Sequence, residues 1–237
     1  MRAAWFLLPL GCTWGLLAQT QPLYRCDFET APAGRLPEDF LVLNGAFAVR
    51  SLGTNQVLEL PGAPLDGFAL QFGPARGAGV AVSARVRGTA RGQRSPAFGV
   101  GLAGAGGWRL QISPGRRAIE LFKQDELRAS APYEWQSGVW TRLRLQLRQS
   151  GAGLWRIEGR AWPDGSAEPG RWSVTADETE QPPTGRASIT GSPFSGTPIW
   201  FDDLWLEQVG PAENPAPQGG STPQVEAASG PQPSNRP

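Results

Sequence analysis

The chain contains no histidine, and that one absence removes much of the chemistry open to a protein of this size. Without imidazole there is no Ser-His-Asp or Cys-His nucleophile pair, and no His-ligated zinc, iron or haem centre. Cysteine is nearly as scarce. Cys12 lies in an N-terminal apolar stretch, and Cys26 stands alone in the remainder. Once Cys12 leaves with that stretch, no internal disulfide is available and the core alone must hold the fold. With nothing to activate its thiol, Cys26 reads as a strand residue. Lys123 is the sole lysine, and 22 basic residues face 21 acidic ones for a net charge of +1. That balance argues against strong generic binding to nucleic acid.

The remaining composition divides the chain into three parts. Met1-Arg2 precedes an apolar stretch from Ala3 to Ala18, broken by Pro9 and Gly11 and too short to span a bilayer. With Leu16-Leu17-Ala18 at its end it reads as a signal peptide, residues 1–18, of an exported protein that is periplasmic, at the cell surface or extracellular. The alternative is a lipoprotein cut before Cys12, since Leu8-Pro9-Leu10-Gly11-Cys12 resembles a lipobox. From Gly210 to Pro237 there are seven prolines and no aromatic residue. Such a segment buries too little apolar surface to offset its ordering entropy, so residues 210–237 are expected to be a disordered tail. The folded domain is then 23–209.

Within that domain the apolar period is two. Val80, Val82, Ala84 and Val86 alternate with Ala81, Ser83, Arg85 and Arg87. Leu143, Leu145 and Leu147 alternate with Arg142, Arg144, Gln146 and Arg148, and Trp155, Ile157, Gly159 and Ala161 with Arg156, Glu158 and Arg160. Turn signals such as Pro61-Gly62, Pro114-Gly115, Ser150-Gly151 and Pro163-Asp164-Gly165 separate the segments. Short half-apolar strands at this spacing predict an all-β, two-sheet antiparallel sandwich of jelly-roll type. Helix is expected to be minor, at most one turn at Leu36–Phe40 or Asp125–Ala129. The terminal segments Tyr24–Glu29 and Pro198–Leu206 are expected to pair and close the sandwich.

Three ordered motifs carry a family resemblance. They are the opening Asp27-Phe28-Glu29, the segment Trp140-Thr141-Arg142-Leu143-Arg144-Leu145 with the Trp155–Trp172 run behind it, and the closing Phe201-Asp202-Asp203-Leu204. Together they resemble the concanavalin A-like lectin/glucanase superfamily, in its LamG-like branch of bacterial secreted proteins. The resemblance implies a jelly roll over most of 23–209. It implies little about function, because this fold carries lectins, hydrolases and adhesive modules alike.

The residues themselves narrow the choice. Retaining glycosidases hold two carboxyl groups ~5 Å apart and inverting ones ~6.5–9.5 Å, and the laminarinase-like members of the superfamily carry them on one strand. No strand here has that pattern; Asp177-Glu178-Thr179-Glu180 reads as a loop and Asp125-Glu126 as a turn. If the termini pair, Asp27, Glu29, Asp202 and Asp203 come together as candidate ligands for a structural Ca²⁺, which takes six to eight oxygens. By simple alternation Asp202 points with Leu204 and Leu206 toward the core, where it needs a cation, an arginine or backbone N–H groups. No other cofactor is implied.

Eight tryptophans follow the signal segment. Trp108 and Trp155 alternate with the core. Trp140, Trp162 and Trp205 fall on polar faces, with Trp135 in a loop. With Arg142, Arg144, Arg156 and Glu158 these four form a candidate ligand surface, aromatic faces stacking on sugars and charged groups making polar contacts. The alternative is that the tryptophans stack on arginines. The expectation is therefore an exported, non-catalytic binding or adhesion module that recognises a glycan or cell-surface polymer. A hydrolase or lyase on the same fold, similar to 3-keto-disaccharide hydrolases, is the enzyme alternative, and a structural accessory domain without a small ligand is a third.

Overall fold

The structure, a computed structural model, describes residues 21–104 and 106–212. The expected signal segment and residues 213–237 of the expected tail lie outside these. Fifteen strands carry the described chain: β1 (Gln21–Cys26), β2 (Leu41–Asn44), β3 (Ala48–Leu52), β4 (Asn55–Leu60), β5 (Phe68–Arg76), β6 (Val80–Arg87), β7 (Ala97–Leu102), β8 (Trp108–Ser113), β9 (Ala118–Lys123), β10 (Glu126–Pro132), β11 (Thr141–Gly151), β12 (Leu154–Pro163), β13 (Val174–Glu178), β14 (Gly185–Ser192) and β15 (Ile199–Gln208). Among the described residues the one helical element is a 3-10 turn at Pro114–Arg116.

Two antiparallel sheets result. The first runs β13-β12-β11-β6-β15-β4-β3, and the second runs β10-β9-β8-β7-β14-β5-β2. The chain ends close the first sheet as expected: β1 pairs with β15, with Cys26 opposite Leu204 and Tyr24 opposite Leu206. β15 is shared along its length, meeting β4 through Ile199–Phe201 before it meets β1.

The alternation that defines the strands also defines the core. Val82, Val86, Leu143, Leu145, Leu147 and Ile157 project from the first sheet, and Leu70, Phe72, Val100, Leu110, Ile112 and Ile189 from the second, all fully buried in one cluster. Each such side chain contributes roughly 1.5–3 kcal/mol of burial, which is how a domain with one free thiol, Cys26, stays folded. Two inward glycines set the spacing between the sheets. A Cβ on Gly159 would collide with Leu110, and one on Gly191 would lie 2.7 Å from a Leu60 methyl.

Three expectations are revised. Asp125–Ala129 forms no helical turn but leads into β10, which pairs with β9; a register shift between Leu127 and Ala129 breaks the alternation that would have marked the strand. Leu36–Phe40 forms a non-helical turn. Asp177 and Glu178 belong to β13 rather than to a loop, because Arg156 and Lys123 neutralise them at the strand edge.

Candidate functional site

The outer face of the first sheet collects most of the residues singled out in the sequence. Register places Arg142 opposite Arg85 and Trp162, and Arg144 opposite Ser83 and Arg160. Arg156 and Glu158 stand on β12, facing β13 through Asp177 and Thr175. Trp205 lies on the same face, opposite Ser83. Trp135 does not join them. It sits beyond β10 with its ring edge-on to Phe98, centroids 6.1 Å apart, packed against the core.

This face is a lattice of internal ion pairs. Arg142 reaches Asp164 at 2.6 Å and Asp203 at 3.2 Å. Arg144 pairs with Glu207 and Glu168, Arg148 with Glu158, and Arg156 with Asp177. Glu158 also accepts a hydrogen bond from Gln146 at 2.7 Å. The tryptophans cover the arginines: Arg85 lies over Trp140 at 4.7 Å, Arg160 over Trp172 at 3.9 Å, and Arg25 over Trp205 at 5.5 Å. Trp162 is buried. Burial alone would raise the Asp164 pKa, but its hydrogen bonds to Arg142 and Arg85 outweigh that and hold it below the usual carboxylate range. Polar groups already engaged in this way have little left for a ligand.

The seam between the chain ends behaves similarly. A bulge falls between Asp202 and Trp205, with Asp203 in the left-handed region at φ 47°. It resets the alternation, so Asp202 does not point to the core with Leu204 and Leu206. It stands opposite Arg85 on the outer face. There it accepts hydrogen bonds from Arg85, from Asn55 at 2.7 Å and from the Asp203 amide at 2.7 Å. Asp27 accepts from the Glu29 amide, and Glu29 from the Gln56 amide at 3.1 Å. Among the described residues no three acidic or thiol groups gather as a cation site.

The outer face of the second sheet is built differently. Its middle strands carry small or neutral side chains outward: Gly99 and Gly101 on β7, Ser188 and Thr190 on β14, Ala69 and Gln71 on β5. These form two rows across the sheet, Gln71-Ser188-Gly101 and Ala69-Thr190-Gly99. Larger residues rise on either side, Arg109 and Gln111 on β8 and Leu43 and Asn44 on β2. The outcome is a trough. Its larger depression, about 290 Å³, lies between Asn44, Gln111 and Ser192. A second of about 130 Å³ continues past Gln71 and Ser188 to Gln124. Beyond Ala97 and Gln111 a third, about 260 Å³, ends at Phe194, which is 48% exposed. A side chain on Gly101 would strike the Ser188 hydroxyl, so the floor must stay bare there. The Thr190 hydroxyl, on the floor, is shielded from water and has no hydrogen-bond partner among the described residues.

Nothing in the sequence alone singled out this trough. Its outward residues alternate with apolar ones as on any strand, and only the pairing of β7, β14 and β5 brings the small ones together. The signal that could have been read is the set of outward Gly, Ser and Thr positions on strands otherwise rich in Phe and Val.

The fold has known counterparts. The carbohydrate-binding module CBM66 from Bacillus subtilis superposes with a TM-score of 0.51 at 8% identity, over 72% of this chain and 96% of its own. The carbohydrate recognition domain of Emp47p gives 0.52 at 10% identity, over 81% and 98%. A xylan β-1,4-xylosidase from Bacillus halodurans gives 0.54 at 14% identity, over 80% of this chain and 40% of its own. No protein-family model matches the chain, and neither does any curated protein sequence. The architecture shared with these domains is a two-sheet antiparallel β-sandwich of jelly-roll type.

Proposed function

We propose that the protein is a non-catalytic carbohydrate-binding module that lays a glycan chain in the trough of the second sheet. The observation that carries this reading is the trough itself, an open polar channel that crosses several strands. Amide and hydroxyl side chains on its floor and walls offer both donors and acceptors to sugar hydroxyls. Each such bond is worth roughly 0.5–1.5 kcal/mol, so a chain spanning several depressions gathers useful affinity from weak contacts. The carbohydrate-binding names of two proteins that share the fold support the class.

Binding is favoured over hydrolysis because glycosidic cleavage by this fold's usual route needs a pair of carboxyl groups. The described lining of the two central depressions is neutral apart from Arg109. The Arg/Trp face is assigned a structural role, its charges engaged with one another. Export to the periplasm or cell surface, as the N-terminal segment suggests, would put the module where polysaccharides are met. Among the described residues no helix is long and apolar enough to cross a membrane.

Affinity electrophoresis of the full chain through gels containing xylan, arabinan or polygalacturonate tests the proposal. At least one polysaccharide should retard it. Thr190→Trp, which fills the trough floor, should weaken retardation roughly tenfold or more, equivalent to about 1.4 kcal/mol. Arg156→Ala on the other sheet should leave it unchanged. Retardation by none of them, or loss with Arg156→Ala and not Thr190→Trp, would contradict the trough as the site.

A further inference from the structure

Arg109 is the sole charged side chain among the described residues lining the two central depressions, and it lines both. Its situation differs from that of the arginines on the opposite face. Arg85, Arg142 and Arg144 each meet at least two carboxylates. Arg109 has one acidic neighbour, Asp125, at 3.9 Å, and that carboxylate is fully exposed. A contact of this length with a hydrated partner holds little energy. Its Nε is shielded from water and has no hydrogen-bond partner among the described residues, but the same holds for Arg85, Arg144 and Arg160, and what sets Arg109 apart is the lack of close carboxylates. The guanidinium is nonetheless fixed in place, 4.8 Å from the centre of the Phe122 ring on β9.

A planar, permanently charged fork, oriented by an aromatic ring and left largely unneutralised in a channel of neutral amides and hydroxyls, is built to receive an anion in two-point contact. Sulfate esters and carboxylates share that chemistry. The channel is shallow and rimmed by side-chain amides, so the occupant that matches both features is a sugar carrying a planar carboxylate. We infer that the glycan bound in the trough is an acidic polysaccharide containing uronic acid, with Arg109 receiving its carboxylate; this rests on the trough being the glycan site.

The neutral residues then read as contacts for the remaining hydroxyls. Gln111 is engaged with Ser113 at 2.9 Å, which leaves its carbonyl oxygen as an acceptor beside Arg109. Asp125 is the competing anion, displaced at little cost because it stands in water.

The test compares the full chain with Arg109→Gln and Asp125→Asn on polygalacturonate and on xylan, at low and high sodium chloride. Wild type should bind polygalacturonate more tightly than xylan, and salt should weaken the former alone. Arg109→Gln should lose about 10- to 100-fold on polygalacturonate, the worth of a charged hydrogen bond, and change little on xylan. Asp125→Asn, at an exposed position that does not risk the fold, should bind polygalacturonate up to about fivefold more tightly. Polygalacturonate binding that is indifferent to all three variables would overturn the assignment. Binding of xylan without polygalacturonate would overturn it while leaving the trough as a glycan site. Binding of neither these two nor arabinan would remove both.

Discussion

Asp202 shows what a single residue carries in this fold. Its side chain is 2% exposed, yet three donors reach its two oxygens: the Arg85 guanidinium, the Asn55 amide and the Asp203 backbone N–H. It therefore ties β15 to β6 and to the start of β4. Asp202→Ala would leave a largely buried guanidinium and amide short of a partner. Removing one side of a buried pair costs about 3 kcal/mol, which for a domain of this size is a fall in Tm of roughly 6–12 °C. Differential scanning calorimetry measures this directly; a change under 2 °C would mean that Asp164 and Asp203 fully replace it. The need for a partner was legible from the sequence, as was arginine as one candidate. The direction in which Asp202 points was not, because a one-residue bulge inverts alternation and leaves no mark in residue type.

At the level of elements, the strands with unbroken alternation were readable from the chain: β6, β11 and β12 fall where the period-two runs predict them. β2 and β10 were not, since each carries a register shift within a few residues. The strands of the first sheet are further joined by rows of charge across their outer face, and those rows titrate. Asp164 is held below the usual carboxylate range by Arg142 and Arg85 against the effect of burial, and Asp177 by Arg156. Glu178 is lowered by its hydrogen bond to Lys123. A carboxylate whose folded pKa lies below its unfolded value stabilises the fold above the unfolded pKa, about 4, and that contribution disappears as pH falls through the folded value. Urea midpoints should thus be flat from neutrality to about pH 5 and decline steadily below about pH 4. Asp164→Asn should start from a lower midpoint and show a shallower decline. An unchanged acid slope in that variant would show that the Asp164 pairing adds nothing to stability.

On the scale of the whole molecule, two sheets of similar size have opposite outer faces. One is closed by its own ion pairs and indole rings, and the other holds an open, small-floored trough whose two central depressions are neutral around one arginine. The sequence made the sandwich and the pairing of its ends legible, because both follow from local patterns. It drew attention to the Arg/Trp face because tryptophan and arginine are conspicuous by type. The trough is assembled from unremarkable residues on strands far apart in the chain, and only sheet topology makes it a site. Mapping backbone amide shifts of the ¹⁵N-labelled full chain, titrated with short oligogalacturonides and with xylo-oligosaccharides, tests this contrast most directly. With the trough as the glycan site, at least one of these sugars shifts Gln71, Gly99, Gly101, Arg109 and Thr190 while Arg144, Arg156 and Trp205 stay still. Shifts confined to the Arg/Trp face, or absent from both, would contradict it.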